Sequence, residues 1–447
     1  MLIARARRIT GEPIAVRITD GRVTEVAEDL ETDGDDVVVD ARGGTLLPGL
    51  HDHHLHLRAA VAATRSVKVG PPQVRDPEQL RHTLTEASPR SDGWIRAVGY
   101  HDSVAGELDR NRLDELRAGT PLRVQHRSGA LWMVNTAGLV ALGQPRHPTG
   151  RFFRQDAEFA AITAGEPIDF APLSARLTAF GVTGVTEATP ELGRDDLAAL
   201  DIAVRSQQLR QRVLVMSDPG PHQYPALDFG PVKRILDDNS LDLDGLTEWI
   251  AQVHARGRTV AMHCVTVAQL VVAATALGTA GARTGDRIEH AAMVPDEMLS
   301  TLAELGVVVV TQPNFVAERG DEYLIDVPAD DHHQLWRVAS LCAAGVPVAG
   351  STDAPFGDLD PWAAMRAARD RLSPSGAMLS GDERVDAATA LNLFLGQTYS
   401  PDYPRKLVPG APADLCLMSA APDVVLAELS ADLVAATVIS GQVYENE

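Results

Sequence analysis

Lysine is nearly missing from this chain. Of 40 basic residues only Lys68, Lys233 and Lys406 are lysines, so arginine serves almost everywhere that a bare positive charge is wanted. Each lysine is therefore a position where an amine can have a use that a guanidinium cannot. Cysteine is scarce too: Cys264, Cys342 and Cys416 form an odd set without CxxC spacing. That excludes a disulfide framework and a cysteine zinc knuckle, and it fits a reducing compartment. No apolar run reaches the length of about 18 residues that a membrane helix needs; the longest, near 270–282, is broken by alanine and glycine. The first ten residues carry arginines with no apolar stretch after them, so a cytoplasmic location is expected. Positive charge is in deficit overall, with 40 Lys and Arg against 61 Asp and Glu and a net charge of −21. Such a surface repels nucleic-acid backbones and anionic lipid, which leaves a small molecule as the expected partner.

What is present reads as a large folded α/β chain. Its 447 residues, 45% hydrophobic and 23% charged, suit one large barrel with an attachment or two to three ordinary domains. Residues 1–45 alternate apolar and polar positions around turn signals such as Asp20-Gly21, and the last forty or so return to the same idiom. Residues 1–45 and 405–447 are therefore expected to pair into one small β-sandwich domain. Between them, apolar strand-like runs followed by Ala/Leu-rich helical segments recur at 45–50, 94–98, 182–186, 232–236, 259–262, 286–288, 307–311 and 346–350. That alternation predicts a (β/α)8 TIM barrel over 46–404, with extra material inserted around 95–180.

The densest chemical signal closes the first of these runs. Four of the fourteen histidines fall at positions 51, 53, 54 and 56. On a strand, residues two apart share a face, so His54 and His56 present two imidazoles together, a good start for a divalent metal site. His51 and His53 point to the other face and are expected in packing or support. Later strand-like runs also end in ligand-type residues: His263, His290 and Asp353. Barrel strands converge at their C-terminal ends, where residues far apart in sequence meet. Lys233 lies inside a strand-like run, where a neutral amine can add CO2 to become a carbamate. Glu187, closing the run at 182–186, offers a carboxylate as the alternative to Lys233.

With these residues in view, the chain resembles the metal-dependent amidohydrolase superfamily, and within it amidohydrolase family 3, which includes N-substituted formamide deformylases. The opening motif of that family is met by Pro48, Gly49, Asp52, His54 and His56; its Val-Lys strand by Val232 and Lys233; its two histidine strands by His263 and His290; and its Gly-Ser-Asp-x-Pro strand by Gly350, Ser351, Asp353 and Pro355, with Thr352 inserted. The resemblance covers essentially the whole chain. It implies one or two divalent ions, zinc first with Mn, Fe or Co accepted by the same ligand types, held by His54, His56, Lys233, His263, His290 and Asp353. It further implies a carbamate on Lys233 and Asp353 as the proton-transferring group in the cleavage of an amide, formamide or cyclic amide. Ala130 stands where the family often has a histidine, so substrate contacts do not transfer. His126, Arg127, Gln312 and Asn314 are the candidates for substrate binding, and a homodimer is expected on base rates.

Two other readings stand beside this one. A mononuclear deaminase of the same superfamily typically carries a glutamate three residues after the histidine at 263; here that residue is Thr266. A non-catalytic scaffold on a retired hydrolase fold usually loses ligands, and none of the set is missing.

Overall fold

Two-residue turns shape both ends of the chain. Asp20 and Gly21 adopt φ of 51° and 71°, and Ser440 and Gly441 adopt 50° and 83°. These are the left-handed pairs that fold a hairpin with the right twist. The first joins Pro13–Thr19 to Arg22–Ala27; the second joins Val434–Ile439 to Gln442–Glu445. The computed structural model describes residues 1–34, 36–155, 159, 168–220 and 222–446. Within it the two hairpins belong to separate four-stranded sheets. One adds Leu2–Arg7 and Val38–Asp40; the other adds Leu415–Met418 and Leu46–Pro48. Ile3, Ile14 and Val16 share a single apolar cluster with Leu415 and Val438, and Leu415–Met418 is buried along its whole length.

The chain divides into two units, Met1–Leu57 with Phe170–Glu447, and Arg58–Asp169. In the first unit, continuous apolar runs form parallel strands buried on both faces, as helices on the flanks require. One ladder runs Leu50–Leu55, Val182–Glu187, Arg212–Val215 and the short Asp228–Phe229. The other runs Val232–Ile235, Val260–Cys264, Arg287–His290, Val308–Thr311 and Val348–Gly350. The ladders stay distinct. At one seam the Lys233 N–H donates to Met216 O at 2.9 Å, and at the other the Asp353 N–H donates to His54 O at 2.9 Å.

The second unit has its own five-stranded sheet, in the order Arg151–Phe153, Leu131–Val134, Leu122–His126, Ile95–Tyr100 and Val67–Lys68. Here the structure corrects the sequence reading. The run at 94–98 was expected among the parallel strands of the main sheet, yet it pairs inside this unit, where Ile95 and Ala97 pack with Val69, Leu80, Leu122 and Met133. Arg212–Val215, a four-residue run behind an arginine, takes the place in the main ladder. The unit also begins earlier than an insertion at 95–180, because Val69, Leu80 and Leu84 share its core. Residues 156–158 and 160–167 of that expected insertion lie outside the described residues. No helix among the described residues is long and apolar enough to cross a membrane.

One glycine sets where the chain leaves the terminal sheet for the parallel one. Gly49 separates Leu46–Pro48 from Leu50–Leu55, and a Cβ there would sit 2.2 Å from Thr183 Cγ2 and 2.4 Å from its Oγ1. Thr183 is fully buried on the neighbouring strand and cannot swing clear. Gly49→Ala is therefore expected to destabilise the fold by about 1–3 kcal/mol. A lowered thermal midpoint in Gly49→Ala, partly recovered in Gly49→Ala/Thr183→Ala, is the expected result; an unchanged midpoint would show that the strand shifts freely.

Candidate metal centre

The strand Leu50–Leu55 is buried along its whole length, so both of its faces carry structure. On one face His51 and His53 stack at 4.5 Å between ring centroids, and His51 Nε2 meets Thr186 Oγ1 at 3.0 Å. Burial holds both rings well below the ordinary histidine pKa, so they are neutral. On the other face lie Asp52 and His54, with His56 just past the strand end. Asp52 ties this strand to the loop before Asp353. Its Oδ1 accepts from the N–H groups of His54 and Thr352 at 3.2 and 3.1 Å, and Oδ2 accepts from the Thr352 hydroxyl. The threonine that interrupts the expected motif is thus the residue that docks on Asp52. Burial pushes the Asp52 carboxyl up to about 7, with the Thr352 bonds acting against that rise.

His54 is oriented from behind. Its Nδ1–H donates to Glu289 Oε2, and Glu289 is itself held by Arg287, whose Nε lies 2.7 Å from Oε1 and whose Nη2 lies 3.1 Å from Oε2. The carboxylate can only accept, so the Nδ1 proton is fixed and Nε2 keeps its lone pair, the arrangement that suits a ligating imidazole. Burial above all holds His54 well below its usual pKa, with Lys233 and His290 adding to the effect. His54 Nε2 lies 3.0 Å from Lys233 Nζ and 3.7 Å from Asp353 Oδ1. His56 Nε2 lies 3.4 Å from the same Oδ1, while its Nδ1 meets Thr189 Oγ1 at 2.9 Å.

Asp353 Oδ1 is buried and makes no hydrogen bond, although two imidazole nitrogens face it. Ligand atoms of His54, His56 and Asp353 all lie within 4.8 Å of one another. An orphaned carboxylate oxygen costs free energy unless something positive is meant to occupy the space before it. The donor set fits a divalent ion of the borderline class. Burial works to raise the Asp353 carboxyl, yet His56, His290 and Lys233 beside it hold it below the ordinary value, so it stands ionised. Asp353 and His290 also adopt left-handed φ of 54° and 72°. Non-glycine residues rarely do so, and such strain gathers at functional sites.

The remaining expected ligands adjoin this trio. The His290 ring lies 4.7 Å from His54 and 4.4 Å from His263. Gln312 Oε1 accepts from His290 Nδ1–H at 2.8 Å, and Gln312 Nε2–H donates to Ser351 Oγ at 2.8 Å, so this amide aims His290 Nε2 forwards. Lys233 is 4% exposed, and burial pushes its ammonium down to about 8 against the pull of Glu289, Asp353 and Glu187. Glu187 is fully buried, with Oε2 accepting from Leu57 N–H at 2.7 Å and Oε1 from Thr189 N–H at 2.8 Å.

Of the residues read as substrate contacts, Gln312 and Asn314 are buried among the strand ends. Asn314 Nδ2–H donates to Glu318 Oε1 and Thr352 O at 3.0 and 3.1 Å. His126 and Arg127 belong to the second unit, where His126 Nδ1 meets Ser128 Oγ at 2.8 Å and Arg127 N–H donates to Tyr100 O at 2.7 Å. Sequence reasoning missed the supporting roles of Asp52, Arg287 and Glu289. A signal was present for the last two: opposite charges two apart on an otherwise apolar strand share a face and must pair once buried.

The amidohydrolase family matches residues 37–444 of the chain. The N-substituted formamide deformylase of Arthrobacter pascens is 25% identical over 85% of this chain and 84% of its own length. Among solved structures, an uncharacterized metal-dependent hydrolase from Pyrococcus horikoshii OT3 superposes with a TM-score of 0.74 at 20% identity, covering 95% of this chain and 98% of that one. The atrazine chlorohydrolase TrzN of Arthrobacter aurescens TC1, complexed with zinc, gives a TM-score of 0.57 at 14% identity, covering 99% and 94%. With the family matched over most of its length, this chain belongs to the amidohydrolase family, the metal-dependent hydrolases of carbon–nitrogen bonds.

Proposed function

We propose that this enzyme hydrolyses an amide, formamide or cyclic amide bond of a small cytoplasmic molecule at the cluster of His54, His56 and Asp353. The observation that carries this reading is the convergence of two imidazole nitrogens on one unpartnered, buried carboxylate oxygen. The two parallel ladders, bridged by backbone bonds at both seams, are read as one (β/α)8 barrel, and the sheets of the two termini as its composite β-sandwich domain. The barrel arrangement would place the cluster at the C-terminal ends of the strands, where the active sites of such barrels lie.

In this reading His54, His56 and Asp353 would hold one divalent ion and His263 and His290 a second, with Lys233 as the ligand they would share. Zinc is the first choice, supported by the zinc-bound relative. Such an ion supplies Lewis acidity that polarises a carbonyl and makes water acidic enough to attack near neutral pH. The chain does the rest. Glu289 keeps the Nδ1 proton of His54 in place, so the ring presents its lone pair without rearrangement. The Asp353 carboxylate accepts the proton of the attacking water and returns it to the departing nitrogen, which is the general acid–base work of an ionised carboxylate. Lys233 adds CO2 through its neutral amine, releasing one proton and forming a carbamate whose oxygens reach beyond Nζ. Its depressed pKa favours that amine form. The Glu187 oxygens already hold two backbone amides, which favours Lys233 over it as the bridge.

The experiment is metal content per chain for wild type and Lys233→Ala purified without chelator, alongside a screen of N-substituted formamides, cyclic imides and anilides. Two ions falling to one or none, with hydrolysis falling in parallel, is the expected result. One ion in both proteins would remove Lys233 from the centre. Absence of metal after reconstitution, with no C–N substrate cleaved, would overturn the assignment of the site.

A further inference from the structure

The opposite ends of the same strands line a half-open pocket. Gly230 and Pro231 precede Val232–Ile235, Arg258 and Thr259 precede Val260–Cys264, and Gly285 comes just before Arg287–His290. These residues line a cavity of about 140 Å³ together with Arg287 and Tyr399. A water takes about 30 Å³ in the liquid, so the space suits a small polyatomic ion with a water or two.

The only charged side chains in the lining are two guanidinium groups, Arg258 and Arg287. Arg287 is 2% exposed. Its Nε and Nη2 are bound to Glu289 and to His53 O, whereas Nη1 makes no hydrogen bond to a described residue. Arg258 repeats the pattern: Nε and Nη2 donate to the carbonyls of Gly230 and Ser217, and Nη1 has no described partner. The carboxylates nearby are committed elsewhere. Glu289 balances Arg287; Asp218 pairs with Arg256 at 3.2 Å; Asp286 accepts from His254 and from the amides of Val260 and Arg283; and Asp228 bonds the Tyr399 hydroxyl. The Arg258 guanidinium therefore hydrogen-bonds only to neutral carbonyls, and the one carboxylate that acts on it, Asp218, is shared with Arg256. Two partly satisfied guanidinium groups lining one half-open pocket, together with Thr259 and Tyr399, form a receptor for oxygen anions.

We propose that this cavity is a binding site for a small oxyanion, a carboxylate or a tetrahedral anion, seated between Arg258 and Arg287 and separate from the metal centre. Sulfate and acetate are the probes, titrated separately by calorimetry into the metal-loaded enzyme at constant ionic strength. Saturable binding of either, weakened at least tenfold in Arg258→Gln and unchanged in His56→Ala, is the expected result, with amide hydrolysis in Arg258→Gln equal to wild type. Should Arg258→Gln fail to fold, Thr259→Glu places a competing carboxylate in the cavity and is expected to abolish the same binding. Binding lost in His56→Ala but kept in Arg258→Gln would assign the anion to the metal centre and overturn the proposal. So would the absence of saturable binding for both anions.

Discussion

Glu289→Ala should cost this protein both stability and metal. Arg287 is 2% exposed and Glu289 fully buried, and the carboxylate is the only acidic partner within salt-bridge distance of that guanidinium among the described residues. Breaking a buried ion pair from one side leaves an uncompensated charge and typically costs about 3–5 kcal/mol. The same substitution frees the Nδ1 side of His54, and losing such a carboxylate behind a ligating histidine typically weakens metal binding by about 10–100-fold. The two effects are separable. In Glu289→Ala/Arg287→Met the stranded charge is gone, so thermal stability should largely return while metal affinity stays low. Chemical or thermal unfolding of the apoprotein gives the first quantity, and competitive chelator titration gives the second. Full metal affinity in the double variant would mean that His54 needs no support from Glu289.

Asp353→Asn is expected to lower kcat/KM by about 10²–10⁴, the range that a positioned general acid–base group supplies. The amide keeps the shape of the side chain but cannot take a proton at Oδ1. Loss should be greatest for unactivated alkylamides, whose leaving nitrogen needs a proton, and smaller for substrates that release a weakly basic amine. Stability of the apoprotein at neutral pH is expected to fall as well, because the ionised carboxylate is held below its ordinary pKa by His56, His290 and Lys233 beside it, and the neutral amide forgoes that attraction. Equal losses across leaving groups would indicate that Asp353 acts only by holding metal. Measuring metal content of the same samples keeps the two roles apart, since a variant with bound metal and no turnover isolates the proton transfer.

Period-two spacing was enough to see that His54 and His56 share one side of a strand, and the structure has both Nε2 atoms facing Asp353. The same spacing placed His51 and His53 together on the other side, where they stack. Apolar runs closing in histidine or aspartate at positions 263, 290 and 353 marked the strand ends. These features are local: each depends on a handful of neighbouring residues and on the geometry of one strand.

Pairing across long distances was not legible in this way. The bond from His54 to Glu289 spans 235 residues, and the docking of Thr352 on Asp52 spans 300. Alternation tells which side of a strand a residue takes but not which strand lies beside it. For the same reason the run now seen as Ile95–Tyr100 looked like a member of the main sheet, while Arg212–Val215 was passed over. Both are short and apolar, and only packing separates them: the first has Leu80, Leu122 and Met133 to cover it within its own unit, whereas the second fits beside Val182–Glu187. Spacing thus determined which ligand-type residues share a strand face or close a strand, and the resemblance carried by those motifs implied the family and the reaction class. Tertiary structure alone decided which carboxylate orients which imidazole and which keeps an oxygen without a hydrogen bond, because those choices depend on neighbours that meet only when the strands assemble.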